Sequence, residues 1–114
     1  MEGEGEQLLF VYDTLRFGDV QLDIFGRVVA SVEAVLPACT IDYVDIADRR
    51  SGDAPALSVH PVLRHTGDAV DKVVGRVLRL SLAELDAADE YEAPLYRRAQ
   101  LPLADGRAAW VYVG

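Results

Sequence analysis

Apolar positions along the chain fall into short runs separated by Gly, Pro and Asp, and the period changes from run to run. Residues 7–12, QLLFVY, are nearly continuous in apolar character, as expected of a strand buried on both faces. Residues 1–6, MEGEGE, are too polar and too Gly-rich to pack, and read as a flexible acidic tail. After the first strand, RFGDVQLDIFGR places Asp19 where it can cap a short helix. The apolar positions of that helix are Val20, Ile24 and Phe25, and Gly26 ends it.

From Val28 to Ala47 the pattern is short and β-rich: VVASVEAVL, a break at Pro37, then TIDYVDIA. In the latter, Ile41 and Tyr43 alternate with Asp42, and Asp45 lies two beyond Tyr43. DRRSGDAP, residues 48–55, is a polar loop. ALSVHPVL, residues 56–63, is a further strand that Pro61 pushes toward a sheet edge or a bulge, because proline donates no ladder hydrogen bond. RHTGDAVD reads as a turn, and KVVGRVLRL as a strand with a bend or close approach at Gly75. Ser81 and Glu84 have the spacing of a capping box, opening a helix from Leu82 to about Tyr91. Leu82, Leu85 and Ala88 form its expected buried stripe, and Pro94 stops it. YRRAQLPL and RAAWVYV make a final hairpin around Asp105-Gly106. Six to seven short strands with two inserted helices is an α+β pattern, placed in one domain over residues 7–114.

The chain has 114 residues, 51% of them hydrophobic, with a net charge of −8 and a pI near 4.5. That composition argues for a folded core and against nucleic acid, whose phosphates the protein would repel. A single cysteine, Cys39, allows no internal disulfide and reads as a small buried hydrophobe. The start lacks a signal-peptide pattern and no apolar run reaches membrane-spanning length, so the expectation is a cytoplasmic protein with no membrane partner; a homodimer is left open.

Phosphate-binding Gly loops, serine-hydrolase elbows and metal-ligand spacings are absent from the sequence. His60 and His65 lie five apart without a third ligand, so no metal is expected; His60 reads as structural, tying a neighbouring backbone group, and His65 as solvated. Asp86, Asp89 and Glu90 fall on the polar side of the second helix, where carboxylates serve as solvated surface. Glu92 stands at the helix end beside Tyr91 and the APLY segment. Two readings stay open for it: a surface helix-end glutamate, or a partly desolvated carboxylate with a raised pKa, suited to general-base work near neutrality.

The two ends of the chain together resemble a known family. LFVYDTLR, residues 9–16, is similar to the Y-G-[ST]-L strand and loop of the γ-glutamylcyclotransferase-like (AIG2-like) proteins. The stretch from Val73 to Val113, with its capped helix, YE followed by YRR, and closing A-W-V-Y-V hairpin, resembles that family more fully. Similarity covers most of residues 8–113. The resemblance implies a small mixed β-barrel with a cavity at one end, and a reaction in which a γ-glutamyl amine or amino acid cyclises to 5-oxoproline and releases the amine. It also implies that Glu92 is the general acid/base, that Tyr12, Thr14 and Leu15 belong to the substrate loop, and that no cofactor is needed. Tyr96 matches the tyrosine after the glutamate, where it would bond the carboxylate, close the pocket wall or pack in the core. Arg97 and Arg98 begin a strand on opposite faces.

Asp13 departs from the family pattern, which has glycine at that position. If the glycine serves a positive-φ backbone, Asp is one of the few replacements able to follow. A carboxylate there would repel the α-carboxylate of a γ-glutamyl substrate, and facing Glu92 it would form a coupled acid/base pair. Three readings follow: an ordinary cyclotransferase with Asp13 toward solvent or the substrate ammonium; the same barrel and Glu92 acting on another small substrate, with Asp13 as second carboxylate; and a non-catalytic binding barrel.

Overall fold

A computed structural model describes residues 6–48 and 56–114 of the chain. Seven strands and two helices follow in order: β1 (Gln7–Val11), α1 (Gly18–Phe25), β2 (Ser31–Pro37), β3 (Cys39–Asp48), β4 (Ala56–His65), β5 (Lys72–Leu80), α2 (Leu82–Glu92), β6 (Arg97–Pro102) and β7 (Ala108–Val113). Five strands form one sheet in the order β2-β5-β1-β7-β6, and β3 and β4 pair with each other as a separate two-stranded ribbon. Every pairing is antiparallel except that of β1 with β7. The expected α+β class, strand number and helix number hold. The sheet does not close into a barrel: among the described residues β3 and β4 pair only with each other, from Cys39 opposite His65 to Asp48 opposite Ala56.

Burial explains the run QLLFVY. β1 is the middle strand, and its two faces serve two different cores. Leu9 and Val11 pack with Leu78, Leu80, Leu85 and Ala88 on the helical side. Phe10 packs with Leu36, Cys39, Leu63 and Val111 on the ribbon side. A strand covered on both faces has no solvent side on which to place polar residues.

Elsewhere the details differ from the sequence pattern for identifiable reasons. Asp19 does not cap α1: the helix starts at Gly18 after an extended Phe17, leaving Asp19 in its first turn, where its charge suits the helix dipole. Gly26 ends it as expected, at φ 76°. β2 starts at Ser31 rather than Val28, because the amide of Val29 donates to the side chain of Gln21 (2.9 Å) instead of a sheet ladder. The break falls at Ala38, with φ 62°, since Pro37 is still the last residue of β2. β4 continues two residues past Leu63 to His65. Pro61 sits in β4 opposite Tyr43, in a ribbon to which the described residues add no further strand, an edge position. Residues 49–55 of the expected loop, and residues 1–5 of the tail, lie outside the described residues.

The capping box of α2 is complete: Ser81 Oγ accepts from the Glu84 amide (3.1 Å), and Glu84 Oε1 accepts from the Ser81 amide (2.9 Å). Leu82, however, is exposed, and the buried face consists of Leu85, Ala88 and Glu92. Gly75 marks a close approach as anticipated: a Cβ there would lie 2.7 Å from the Phe10 ring and run into the Val11 carbonyl.

Candidate active site

The chain leaves β1 at Val11 and forms a short 3-10 turn, Thr14–Arg16. The Asp13 carbonyl closes this turn, accepting from the Arg16 amide (3.0 Å) and from Arg16 Nε (3.1 Å). Asp13 itself has φ −125°, so the expected left-handed backbone is not used and no steric reason forbids a side chain. Leu15 is buried in the helical-side core, and its carbonyl accepts from Gln21 Nε2 (2.8 Å). Gln21 is only 2% exposed and clamps this loop to Val29 through its two amide ends. Nothing in the sequence marks it as functional except its place three and four residues before Ile24 and Phe25, which puts it on the apolar stripe of α1.

The opposite wall comes from the end of α2. Glu92 is 7% exposed because it continues the stripe of Leu85 and Ala88, so the helical period directs a carboxylate into the protein. One residue earlier, the Tyr91 hydroxyl lies 2.9 Å from Thr14 Oγ1 and joins the two walls. Tyr12 donates its hydroxyl to the Tyr112 carbonyl (2.7 Å). Tyr96 donates to the Pro61 carbonyl (2.7 Å), which ties the wall to the β3–β4 ribbon. Its phenol thus serves as pocket wall and spends its proton on the ribbon. Burial, with the nearby charges of Asp13 and Glu92, pushes that phenol up to about 12. Burial above all also raises Tyr12.

Tyr12, Asp13, Leu15, Glu92 and Tyr96 line one narrow recess of about 10 Å³, room for a single water. Asp13, Glu92 and Tyr96 also line the adjoining cavity of about 250 Å³, where they are joined by Thr14, Tyr91 and His60. All six residues singled out at the two chain ends therefore meet in one place. His60 does not tie a backbone group as expected: its Nε2 is buried and without a hydrogen-bond partner. Asp89 is not a solvated surface carboxylate, since it accepts from the Tyr112 hydroxyl (2.7 Å) and pairs with Arg98 (3.1 Å). Arg98 also lies over the Trp110 ring at 4.5 Å, whereas Arg97 is exposed, on the opposite face as anticipated. Cys39 is buried, and burial raises its thiol. No group of three or more His, Cys, Asp or Glu among the described residues is placed to hold a metal, and no described helix is long and apolar enough to cross a membrane.

The arrangement is a carboxylate held away from bulk water, open to a small cavity and bordered by phenols and a second carboxylate. A ligand proton within reach of Glu92 would exchange with a group whose hydration is largely replaced by protein.

Comparison with known proteins gives a consistent picture. The family model for gamma-glutamyl cyclotransferase, AIG2-like, matches residues 9–114. Two Arabidopsis thaliana proteins solved in solution are similar in fold. One has a TM-score of 0.70 at 22% identity over 96% of this chain and 68% of its own. The other has a TM-score of 0.64 at 24% identity over 95% of this chain and 61% of its own. A structure described as a gamma-glutamyl cyclotransferase matches with a TM-score of 0.65 at 14% identity, covering 95% of this chain and 66% of that one. The chain thus spans about two-thirds of the length of these structures. No curated protein matches the chain.

Proposed function

The chain belongs to the AIG2-like gamma-glutamyl cyclotransferase family, and from that premise we propose that it cyclises a γ-glutamyl amine or γ-glutamyl amino acid to 5-oxoproline, releasing the amine. The observation that carries this reading is a buried glutamate, Glu92, opening on a 250 Å³ cavity together with the loop after β1. Glu92 takes a proton from the substrate's α-ammonium. The freed amine attacks the γ-carbonyl carbon of the same molecule, forming the ring C–N bond. Glu92 returns the proton to the departing nitrogen as the old C–N bond breaks, and the second proton of the ring nitrogen passes to the released amine, which leaves as its ammonium. Both reactants belong to one molecule, so holding it folded supplies much of the rate as effective molarity. Proton transfer contributes a further factor of about 10² to 10⁴. Backbone amides of the Tyr12–Leu15 loop are the donors for the oxyanion. The reaction as written needs no metal or cofactor.

A second reading is favoured by one observation: Asp13 lines both the recess and the cavity with Glu92. In that reading the two carboxylates act as an acid/base pair on a different small substrate, and the γ-glutamyl reaction is lost. A panel of γ-glutamyl amines and amino acids, tested for 5-oxoproline with the parent, Glu92→Gln and Asp13→Gly, separates the two. Release by the parent that Glu92→Gln abolishes is the expected result. Release only after Asp13→Gly would assign the chain to another substrate, and no release from any of the three would overturn the cyclotransferase reading.

A further inference from the structure

The cavity wall contains a titratable group to which the proposed reaction gives no task. His60 lines the cavity beside Asp13, Glu92 and Tyr96, yet its Nε2 is screened from solvent and has no hydrogen-bond partner. A buried polar atom left unsatisfied is destabilising, a cost that a bound ligand can remove. Charge gives a second, independent observation. The described residues lining the recess and cavity include two carboxylates and neither lysine nor arginine. A γ-glutamyl group brings both an α-ammonium and an α-carboxylate into this space. The ammonium suits Asp13 and Glu92. The α-carboxylate must enter a wall that already holds two like charges, and its entry requires a strong donor. Among the described lining residues, His60 is the side chain able to carry positive charge.

We propose that His60 Nε2–H receives the α-carboxylate of the substrate, a recognition role that rests on the cyclotransferase reading. Both the imidazolium and the Nε2-protonated neutral ring can donate there. Reaching the cavity requires the ring to turn about χ2, a torsion that is broad in histidine. Asp13 and His60 then divide the two ends of a zwitterion. The substrate class this selects keeps a free α-amino acid head, and a γ-acyl compound without the α-carboxylate gains nothing from His60.

The test uses two ligands, γ-glutamyl methylamide and its decarboxy analogue 4-aminobutanoyl methylamide. Both are titrated into the Glu92→Gln protein, which leaves them intact, while the imidazole ¹⁵N signals of His60 are followed. The expected result is a His60 shift with the first ligand and a Kd about tenfold or more weaker after His60→Leu. His60→Gln, which keeps a donor, should restore much of that loss, and the decarboxy analogue should bind His60→Leu as it binds the parent. Equal losses for both ligands, no imidazole shift at saturation, or no binding of the first ligand would overturn the assignment. Turnover separates the two proposals. His60-dependent binding without 5-oxoproline release sinks the cyclotransferase reading alone, whereas release with an unchanged KM in His60→Leu sinks only the role of His60.

Discussion

Single residues decide this site, and each acts through what it is buried against. Glu92→Gln keeps the volume and the buried position but removes the proton acceptor. The expected outcome is a fall of about 10²- to 10⁴-fold in kcat with the fold intact by circular dichroism. Gln21 works differently, since it lines neither the recess nor the cavity yet holds Leu15 and Val29 through 2.8 and 2.9 Å bonds. Gln21→Leu leaves the Leu15 carbonyl and the Val29 amide without these partners, and should cost about 1–3 kcal/mol in urea unfolding. An unchanged midpoint would mean that water replaces the clamp. Asp13, the residue least expected from the family pattern, was legible as a departure from sequence alone. Its backbone conformation was not, because φ depends on how the Arg16 amide and side chain close on the Asp13 carbonyl.

At the scale of elements, α2 shows what a sequence can and cannot announce. Ser81 and Glu84 gave its start, since a capping box is a local contract between neighbours. Leu85 and Ala88 of its expected stripe are buried, but Leu82 faces out and Glu92 takes the inward one of its two readings, and only the tertiary position of β1 and the loop decides that. The hairpin around Asp105-Gly106 was equally legible, with Gly106 at φ 93°. The clamp by Gln21 and the open edges of the two sheets were not, because both depend on residues distant in the chain. Glu84 does a second job: Arg27 reaches it from beyond α1 through bonds of 2.7 and 3.0 Å. That pairing first, then the Ser81 cap, holds the Glu84 carboxyl down to about 2 from its ordinary 4.5. A depressed carboxyl stabilises the fold fully above the unfolded value and loses that contribution as pH falls toward and through the folded one. Melting temperatures should therefore drop between about pH 4.5 and 2. Glu84→Gln should flatten that part of the profile, and a parallel profile would assign the acid sensitivity elsewhere.

Across the whole molecule, the five-stranded sheet is a partition with helices on one side and the β3–β4 ribbon on the other. At Gly75 β5 lies close against the end of β1, so Gly75→Ala forces either the Phe10 ring or the backbone to move. A loss of about 1–3 kcal/mol is expected, with damage to both cores because Phe10 and Val11 face opposite sides. A loss confined to one core, read by hydrogen exchange, would show that the sheet absorbs the strain locally. The same partition has a temporal meaning. β1, near the start of the chain, finds one of its two neighbours in β7, about a hundred residues later, and Tyr12 at its end is bonded to the Tyr112 carbonyl. During synthesis the first loop of the pocket must therefore wait, half its sheet partners still inside the ribosome, until residues 108–113 have emerged. Ligand binding by a stalled nascent chain should appear only after that strand is released.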